Sequence, residues 1–160
     1  MSDYSQAKNI LFVCTGNSCR SVMAEGYMRK CLQHCDGDYT VLSAGLAAIA
    51  GMPASAMTLE VLEEEGIDLS GHRSQPITPL MLDEADLILC MENYHKGALL
   101  EKAPAMQDKI FLLKEFGIEE ELPPIDRDIL DPIGKSLDFY REVFEQIKIC
   151  VRRVALCLAG

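Results

Sequence analysis

The stretch Asn-Ile-Leu-Phe-Val-Cys-Thr-Gly-Asn-Ser-Cys-Arg-Ser, residues 9–21, decides the fold of this chain. Its first residues, 9–13, form an apolar run rich in strand-favouring side chains, which predicts a buried β-strand. Residues 15–18 are typical of a turn, and a helical period begins at Ser21. A strand that turns directly into a helix is the first unit of an alternating α/β fold.

The loop within this stretch contains the groups that hold a phosphate. Free N–H groups between a strand's carboxyl end and a helix's amino end point inward and, with the positive end of the helix dipole, bind an anion. The same field favours the thiolate form of Cys14. Six positions later, Arg20 supplies a planar guanidinium that binds two oxygens at once. The stretch therefore predicts a phosphate-binding loop that contains a thiol.

Composition indicates one globular domain. The chain has 160 residues, of which 49% are hydrophobic, enough for one substantial core but not for two ordinary domains. We therefore expect a single domain over residues 1–160. The formal charge of −10 disfavours a nucleic-acid-binding surface, because a phosphate backbone attracts basic faces. An anionic substrate must then be bound by a local positive site.

The amino-terminal sequence and the cysteines favour a cytoplasmic location. Residues 1–8 are polar and lack the apolar stretch of a signal peptide, and no apolar run is long enough to cross a bilayer. The seven cysteines are odd in number and follow no disulfide spacing, so most are expected to be buried thiols in a reducing compartment. Cys14 and Cys19 are the expected exceptions.

Strands and helices are predicted to alternate along the chain. We predict strands at residues 9–13, 39–43, 85–91 and 110–113, and helices at residues 22–33, 55–65, 94–102 and 138–158. Residues 115–133 are acidic and contain prolines, which predicts a surface loop. This alternation implies a parallel sheet covered on both faces, with the ligand site beyond the carboxyl ends of its strands.

The Cys-x5-Arg-Ser motif after the first strand resembles the phosphate loop of the low-molecular-weight protein tyrosine phosphatases. Other landmarks of that family follow in the same order: Ser-Ala-Gly at 43–45, Gly-Ile-Asp-Leu-Ser-Gly-His-Arg-Ser at 66–74, Ala-Asp-Leu-Ile-Leu at 85–89 and Asp-Pro at 131–132. Together they span nearly the whole chain. The resemblance implies a flavodoxin-like α/β fold, with a four-stranded parallel sheet and helices on both faces.

The resemblance assigns the central chemical roles to three residues. Cys14 is the expected nucleophile, forming a phosphocysteine that water later hydrolyses. Arg20 is expected to hold the equatorial oxygens of the transition state, and Asp131 to act as general acid and then as general base. Taken singly, Cys14 also fits a buried structural thiol, Arg20 a surface ion pair and Asp131 a solvated loop acid. Asp126 and Asp128 are expected to be such solvated acids. The resemblance further implies that the phosphate is bound by Thr15, Gly16, Asn17, Ser18, Cys19 and Ser21.

A second group of residues is expected to support the loop. Asn17 tolerates left-handed backbone angles, which suits an inward-facing loop. By resemblance, Asn17 forms a hydrogen-bond network with Ser21, Ser43 and His72, although His72 alone would fit an ordinary loop histidine. Ser21 either donates to the thiolate, caps the first helix, or does both. Cys19 is either a disulfide partner for an oxidised nucleophile or a filler thiol under the loop.

No cofactor and no metal ion are expected, because Arg20 and the loop amides supply the positive field. Cys31, His34 and Cys35 have helical spacing, but a fourth ligand is not evident and we interpret them as structural.

The predicted function is that of a protein tyrosine phosphatase, with protein arginine phosphatase as the alternative on the same scaffold. Tyrosine-selective members usually carry an apolar residue before the second loop cysteine and aromatic residues after Asp-Pro, but this chain has Ser18 and Ile133 there, and residues 46–52 contain no aromatic side chain. Each lost aromatic stacking pair removes on the order of 1 kcal/mol. Arginine-phosphatase members tend to have threonine at the position of Ser18, whose hydroxyl could bond a guanidinium. The expected substrate is a phosphorylated protein or a small phosphate ester.

Two other classes are compatible with parts of the chain. The loop, followed by Met-Ala-Glu-Gly at 23–26, also resembles the thioredoxin-coupled arsenate reductases. Those enzymes need two further cysteines after the third strand, where this chain has only Cys90; Cys150 and Cys157 lie in the predicted terminal helix. A non-catalytic phosphate-binding module is disfavoured by the joint presence of the thiol, the guanidinium and the carboxylate.

Overall fold

Four parallel strands form the centre of the fold. The structure is a computed structural model that describes residues 3–160. The strands are β1 (Asn9–Cys14), β2 (Thr40–Gly45), β3 (Leu87–Cys90) and β4 (Ile110–Leu112), in the spatial order β2-β1-β3-β4. The α-helices of the described residues are α1 (Arg20–Leu32), α2 (Ala56–Glu64), α3 (Pro79–Glu84), α4 (Asn93–Lys102) and α5 (Leu137–Ala159), and shorter 3₁₀ turns cover Pro104–Lys109 and Pro124–Asp126.

The alternating side chains of β1 separate two hydrophobic cores. Ile10 and Phe12 are buried in one core with residues of α1, α2 and α5, whereas Leu11 and Val13 are buried in the other with residues of α3 and α4. Successive side chains of a strand point to opposite faces, so a strand covered on both faces must be apolar throughout. The predicted fold class is confirmed, because the parallel sheet has flavodoxin-like strand order and helices on both faces.

The last helix closes the core that contains α1. It begins after Ser136, whose hydroxyl oxygen accepts a hydrogen bond from the N–H of Phe139 at 3.2 Å. One face of α5, which includes Val143, Ile147 and Val151, is buried against α1 and α2. In residues 3–160, no helix combines the length and the apolar character needed to span a membrane.

The predicted elements are present with shifted ends, but α3 was absent from the prediction. Its six residues are too few to show a helical period, although Thr78 provides a start signal by accepting a hydrogen bond from the N–H of Met81 at 3.2 Å. The last turn of α3 also shortens the predicted strand 85–91, because the N–H of Ala85 binds the carbonyl of Met81 at 3.1 Å. Residues 115–133 form a loop as predicted, apart from the 3₁₀ turn at Pro124–Asp126.

Candidate active site

The predicted phosphate loop connects β1 to α1 at the carboxyl edge of the sheet. Cys14 is the last residue of β1 and Arg20 the first residue of α1, and both side chains are buried. Within the described residues, no side chain caps the first turn of α1. The residue types of the stretch produce this geometry directly, because the apolar strand ends at the thiol and the helix begins as soon as the turn residues have passed. Gly16 lies on the loop with room around it, since a Cβ placed there would meet nothing nearer than Ser18 Oγ at 3.6 Å.

The sulfur of Cys14 lies within reach of two hydrogen-bond donors. Ser21 Oγ is 2.9 Å from Cys14 Sγ, and the backbone nitrogen of Asn17 donates to the same sulfur at 3.2 Å. The Asn17 amide group donates to Ser21 Oγ at 2.8 Å, which leaves the Ser21 proton to point at the sulfur. A negative charge on Cys14 is therefore stabilised by fixed dipoles.

The side chain of Asn17 fixes the direction of a hydrogen-bond chain behind the loop. Its oxygen accepts from the N–H of Gln75 at 3.0 Å, so its nitrogen is the atom that donates to Ser21 and, at 2.9 Å, to Ser43 Oγ. Ser43 in turn donates to Glu25 Oε1 at 3.1 Å. Burial raises the pKa of Glu25, despite the guanidinium of Arg29 nearby. The chain runs from a buried carboxyl group to the thiol.

The backbone of Asn17 has the left-handed conformation that the sequence analysis expected. Its φ is 54°, and it is the non-glycine residue with positive φ among the described residues. Its carbonyl accepts two hydrogen bonds, from His72 Nε2 at 2.9 Å and from Ser74 Oγ at 2.7 Å. These contacts offset the strain of the left-handed conformation, which costs about 1 kcal/mol or more for a residue with a Cβ.

The guanidinium of Arg20 is held by three oxygen-bearing groups. Nη1 donates to the carbonyl of Ile129 at 2.8 Å and lies 2.9 Å from Glu92 Oε2, while Nη2 is 3.7 Å from Asp131 Oδ2. Only 2% of Arg20 is exposed. The cation is thus fixed at the loop with defined directions for its N–H groups.

Asp131 lies beside Arg20, with one carboxylate oxygen bound by the backbone and the other directed at the guanidinium. Its Oδ1 accepts from the N–H of Ile133 at 3.1 Å, and 44% of its side chain is exposed. The next residue, Pro132, is buried. The carboxyl group is therefore positioned by a short turn while remaining accessible to a bound molecule.

Cys19 lies under the loop among hydroxyl groups. Its sulfur is 3.4 Å from Ser55 Oγ, 3.5 Å from the Tyr140 hydroxyl and 3.6 Å from the Oγ of Ser18, which is half-buried. Burial and the hydrogen bond with Cys19 raise the pKa of Tyr140 to about 12, so Tyr140 is a neutral phenol at physiological pH.

Glu92 and His95, which the sequence analysis did not assign, complete the site. Thr15 Oγ1 is 2.8 Å from His95 Nε2, and Glu92 binds Arg20 as described above. Both lie just beyond the carboxyl end of β3, where ligand sites of such sheets are found, and that position is the signal that could have revealed them. Asp128, which was expected to be a solvated acid, instead accepts a hydrogen bond from the N–H of Asn93 at 2.6 Å. This bond joins the loop of residues 115–133, here called the acid loop because it contains Asp131, to α4.

The fold and this loop are those of cysteine-dependent protein phosphatases, and comparisons with known proteins show which family is present. Residues 9–159 match the model of the family described as low molecular weight phosphotyrosine protein phosphatase. A probable low molecular weight protein-tyrosine-phosphatase EpsP of Ralstonia nicotianae is 38% identical over 141 residues, which cover 88% of this chain and 89% of that protein. A protein-arginine-phosphatase of Bacillus subtilis is 35% identical over 147 residues, covering 92% and 94% of the two chains.

Solved structures agree with the sequence relatives. The crystal structure of a YwlE mutant from Bacillus subtilis superposes with a TM-score of 0.87 at 33% identity, covering 96% of this chain and all of the other. A low molecular weight protein tyrosine phosphatase from T. tengcongensis gives 0.84 at 39% identity, covering 92% and 97%. This chain belongs to the low molecular weight phosphotyrosine protein phosphatase family, whose members are cysteine-dependent hydrolases. The family resemblance found in the sequence is confirmed, and the arginine phosphatases are among the relatives.

Proposed function

We propose that this protein dephosphorylates phosphotyrosine in proteins through a phosphocysteine at Cys14. One arrangement carries the proposal: the Cys14 thiol lies within reach of two hydrogen-bond donors, and Arg20, at the end of the same loop, has its Nη2 3.7 Å from Asp131 Oδ2. Nucleophile, oxyanion clamp and proton donor are thereby held in one place before the substrate arrives.

In the first step, the Cys14 sulfur attacks phosphorus and the bond from phosphorus to the phenolic oxygen breaks. Protonated Asp131 supplies the proton that makes the leaving oxygen a neutral hydroxyl. Arg20 and the loop N–H groups bind the equatorial oxygens, where charge is spread in the transition state. Thr15, Gly16, Ser18 and Cys19 belong to that loop and contribute to the cradle.

In the second step, Asp131 takes a proton from a water molecule that attacks the phosphocysteine, and the sulfur–phosphorus bond breaks. Ser21 stabilises the departing thiolate, because Asn17 already donates to its oxygen and leaves its proton for the sulfur. Inorganic phosphate leaves, and the enzyme returns to its starting protonation state. Ser43 and His72 hold Asn17 in place throughout.

The proposed enzyme is one domain that acts in the cytoplasm on phosphorylated proteins or small phosphate esters. All seven cysteines are free thiols, as a reducing compartment would require. The chain carries a net charge of −10, so we attribute substrate capture to the local field of Arg20 and the loop rather than to the protein surface. We propose neither a nucleic acid nor a membrane as a partner.

Protein arginine phosphatase activity is the second candidate. Ser18 places a partly buried hydroxyl in the loop, and residues 46–52 and 129–136 contain no aromatic side chain to stack on a phosphotyrosine ring. A hydroxyl can accept a hydrogen bond from a guanidinium, which an apolar residue at this position could not do. The identity to a protein named as an arginine phosphatase supports the same alternative.

Arsenate reduction is disfavoured by the placement of the other thiols. Cys90 is fully buried in the core on the opposite face of the sheet from Cys14, and burial raises its pKa to about 12. Cys150 is buried in α5, where burial also raises the pKa of the thiol. Such protonated, enclosed thiols are poor partners in a disulfide relay.

The decisive experiment is phosphate release from two peptides of identical sequence that carry phosphotyrosine or phosphoarginine, with Cys14→Ser as the blank. Release from phosphotyrosine with an inactive Cys14→Ser that still binds vanadate supports the proposal. A higher kcat/KM for phosphoarginine would transfer the function to the second candidate. Retained turnover by Cys14→Ser would overturn the phosphocysteine mechanism, and release from neither peptide would direct the test to arsenate.

A further inference from the structure

The amino end of α4 contacts three separate parts of the candidate site. His95 meets Thr15 in the phosphate loop, Glu92 meets Arg20, and the N–H of Asn93 binds the carboxylate of Asp128 in the acid loop. These contacts come from one short segment directly after β3. A side chain that fixes this segment can therefore influence the loop, the guanidinium and the acid together.

The hydrogen bonds of His95 define its tautomer. Nδ1 accepts from the N–H of Glu92 at 3.0 Å, so the ring proton is on Nε2. Nε2 then donates to Thr15 Oγ1 at 2.8 Å. The ring is completely buried, which keeps water from replacing either partner.

The Thr15 hydroxyl accepts the hydrogen bond from His95 Nε2–H. Its hydroxyl oxygen is occupied as an acceptor, and within residues 3–160 it makes no other hydrogen bond. The Thr15 proton is therefore available to an oxygen of a group bound in the loop. A hydroxyl oriented in advance by a buried imidazole loses less freedom on binding than one that rotates freely.

Burial keeps His95 neutral although three carboxylates face it. Arg20 faces it from α1, Glu92 from the start of α4, and Asp128 and Asp131 from the acid loop. Burial, followed by the charge of Arg20, lowers the pKa of His95 to about 4. A second cation beside Arg20 would also compete with it for Glu92, whose Oε2 is 2.9 Å from Arg20 Nη1 and 3.6 Å from His95 Nε2.

From this geometry we infer that His95 is a positioning residue of the phosphatase reaction: its Nε2–H orients the Thr15 hydroxyl toward the bound phosphoryl group. The inference rests on the proposed function, since it concerns the same site. His95 touches no reacting atom, and its effect on the reaction is transmitted through Thr15.

Two conservative variants separate positioning from simple packing. The amide nitrogen of His95→Gln can reach Thr15 as a donor, whereas the shorter side chain of His95→Asn can accept only from the N–H of Glu92. His95→Leu removes both hydrogen bonds, and His34→Leu, at an exposed site on the turn after α1, is the matched control. The readouts are kcat, KM and vanadate affinity at neutral pH, with the folded fraction of each variant measured by urea unfolding.

Positioning predicts that kcat and vanadate affinity fall about tenfold in His95→Leu and His95→Asn, that KM changes little, and that His95→Gln restores most of the loss. Thr15→Val should lose the same factor, and adding His95→Leu to it should cost nothing further. His34→Leu should match the wild type. Equal activities of the Gln and Asn variants, or additive losses in the double variant, would overturn the inference.

The same assay distinguishes this inference from the function on which it rests. An active wild type with an inactive Cys14→Ser supports the phosphatase function whatever the His95 variants do. An active wild type with an unchanged His95→Leu overturns the positioning role alone. A wild type without turnover on either phosphopeptide overturns both.

Discussion

Gly45 and Thr15 lie too close together for any side chain at position 45. A Cβ placed on Gly45 would be 2.4 Å from the carbonyl oxygen of Thr15 and 2.9 Å from the backbone nitrogen of Asn17. The N–H of Ala47 binds that same Thr15 carbonyl at 2.9 Å, which holds the two segments together. The backbone at the end of β2 therefore packs directly against the backbone of the phosphate loop.

Gly45→Ala should disable the enzyme while leaving the fold intact. The added methyl group meets rigid backbone atoms, so the loop must move, and a displacement of about 1 Å at such a site can cost about a hundredfold in kcat/KM. Gly97→Ala is the matched control: it lies in α4 with nothing within 4 Å, and should leave kcat/KM unchanged while raising stability by up to about 1 kcal/mol. Steady-state kinetics and urea unfolding test both. Wild-type kcat/KM in Gly45→Ala would show that the loop is pliable.

The fold was predictable from local patterns because most elements are long enough to show one. The apolar run of β1 and the amphipathic period of α5 each identify an element without help from the rest of the chain. α3 escaped prediction because its six residues complete less than two turns, so only its cap at Thr78 marks it. The shortened start of β3 follows from the same omission.

The centre of the candidate site was predictable for a different reason. Cys14, Asn17 and Arg20 fall within one continuous stretch, so their neighbourhood is visible in the sequence. Glu92 and His95 are more than 70 residues away and approach the loop only because β3 lies beside β1 in the sheet. No periodic pattern within a short stretch of sequence indicates that β1 and β3 are neighbours in the sheet.

Asn17 should be replaceable in its backbone role but not in its side-chain role. Asn17→Gly keeps the left-handed conformation and loses the bonds to Ser21, Ser43 and Gln75, whereas Asn17→Ala loses the bonds and also strains the backbone. We expect both variants to lose about tenfold or more in kcat, and Asn17→Ala to be less stable than Asn17→Gly by about 1 kcal/mol. Urea unfolding monitored beside turnover checks this order. Equal stabilities would mean that the φ of 54° carries no strain.

Glu25 should make the stability of the protein depend on pH in an unusual direction. Burial raises the pKa of Glu25 above the ordinary value of 4.5. At pH values between 4.5 and the raised pKa, the folded chain therefore binds the proton more tightly than the unfolded chain. Stability from this group is complete below pH 4.5 and falls as pH rises through the raised pKa. Glu25→Gln keeps the acceptor for Ser43 and should lack that fall, whereas Glu60→Gln, at an exposed position on α2, should retain it.

The measurement for Glu25 is the free energy of urea unfolding at closely spaced pH values from 4 to 8 in the wild type and both variants. Subtraction of the Glu25→Gln curve removes every other titrating group that the two proteins share. A difference that stays constant with pH would show that Glu25 titrates normally in the folded state.

Asp131→Asn should slow the enzyme most on substrates whose leaving group needs a proton. In the proposed first step a phenol leaves, and general acid catalysis contributes about 10²-fold or more when that phenol is a poor leaving group. We expect a loss of this size with phenyl phosphate and a much smaller loss with p-nitrophenyl phosphate. Asp126→Asn, in the exposed 3₁₀ turn of the same loop, should behave as the wild type with both. Equal losses on the two substrates would remove Asp131 from the acid role.

Ser18 should set the balance between phosphoarginine and phosphotyrosine. Its partly buried hydroxyl in the loop can accept a hydrogen bond from a guanidinium, and an apolar residue there would instead pack against an aromatic ring. We expect Ser18→Thr to raise the ratio of kcat/KM for phosphoarginine over phosphotyrosine peptides, and Ser18→Ile to lower it about tenfold. Ser18→Ala removes the hydroxyl without adding bulk, so it separates the lost hydrogen bond from the new apolar contact. If all three variants keep the wild-type ratio, selection between the two substrates occurs outside the loop, and residues 46–52 become the segment to exchange next.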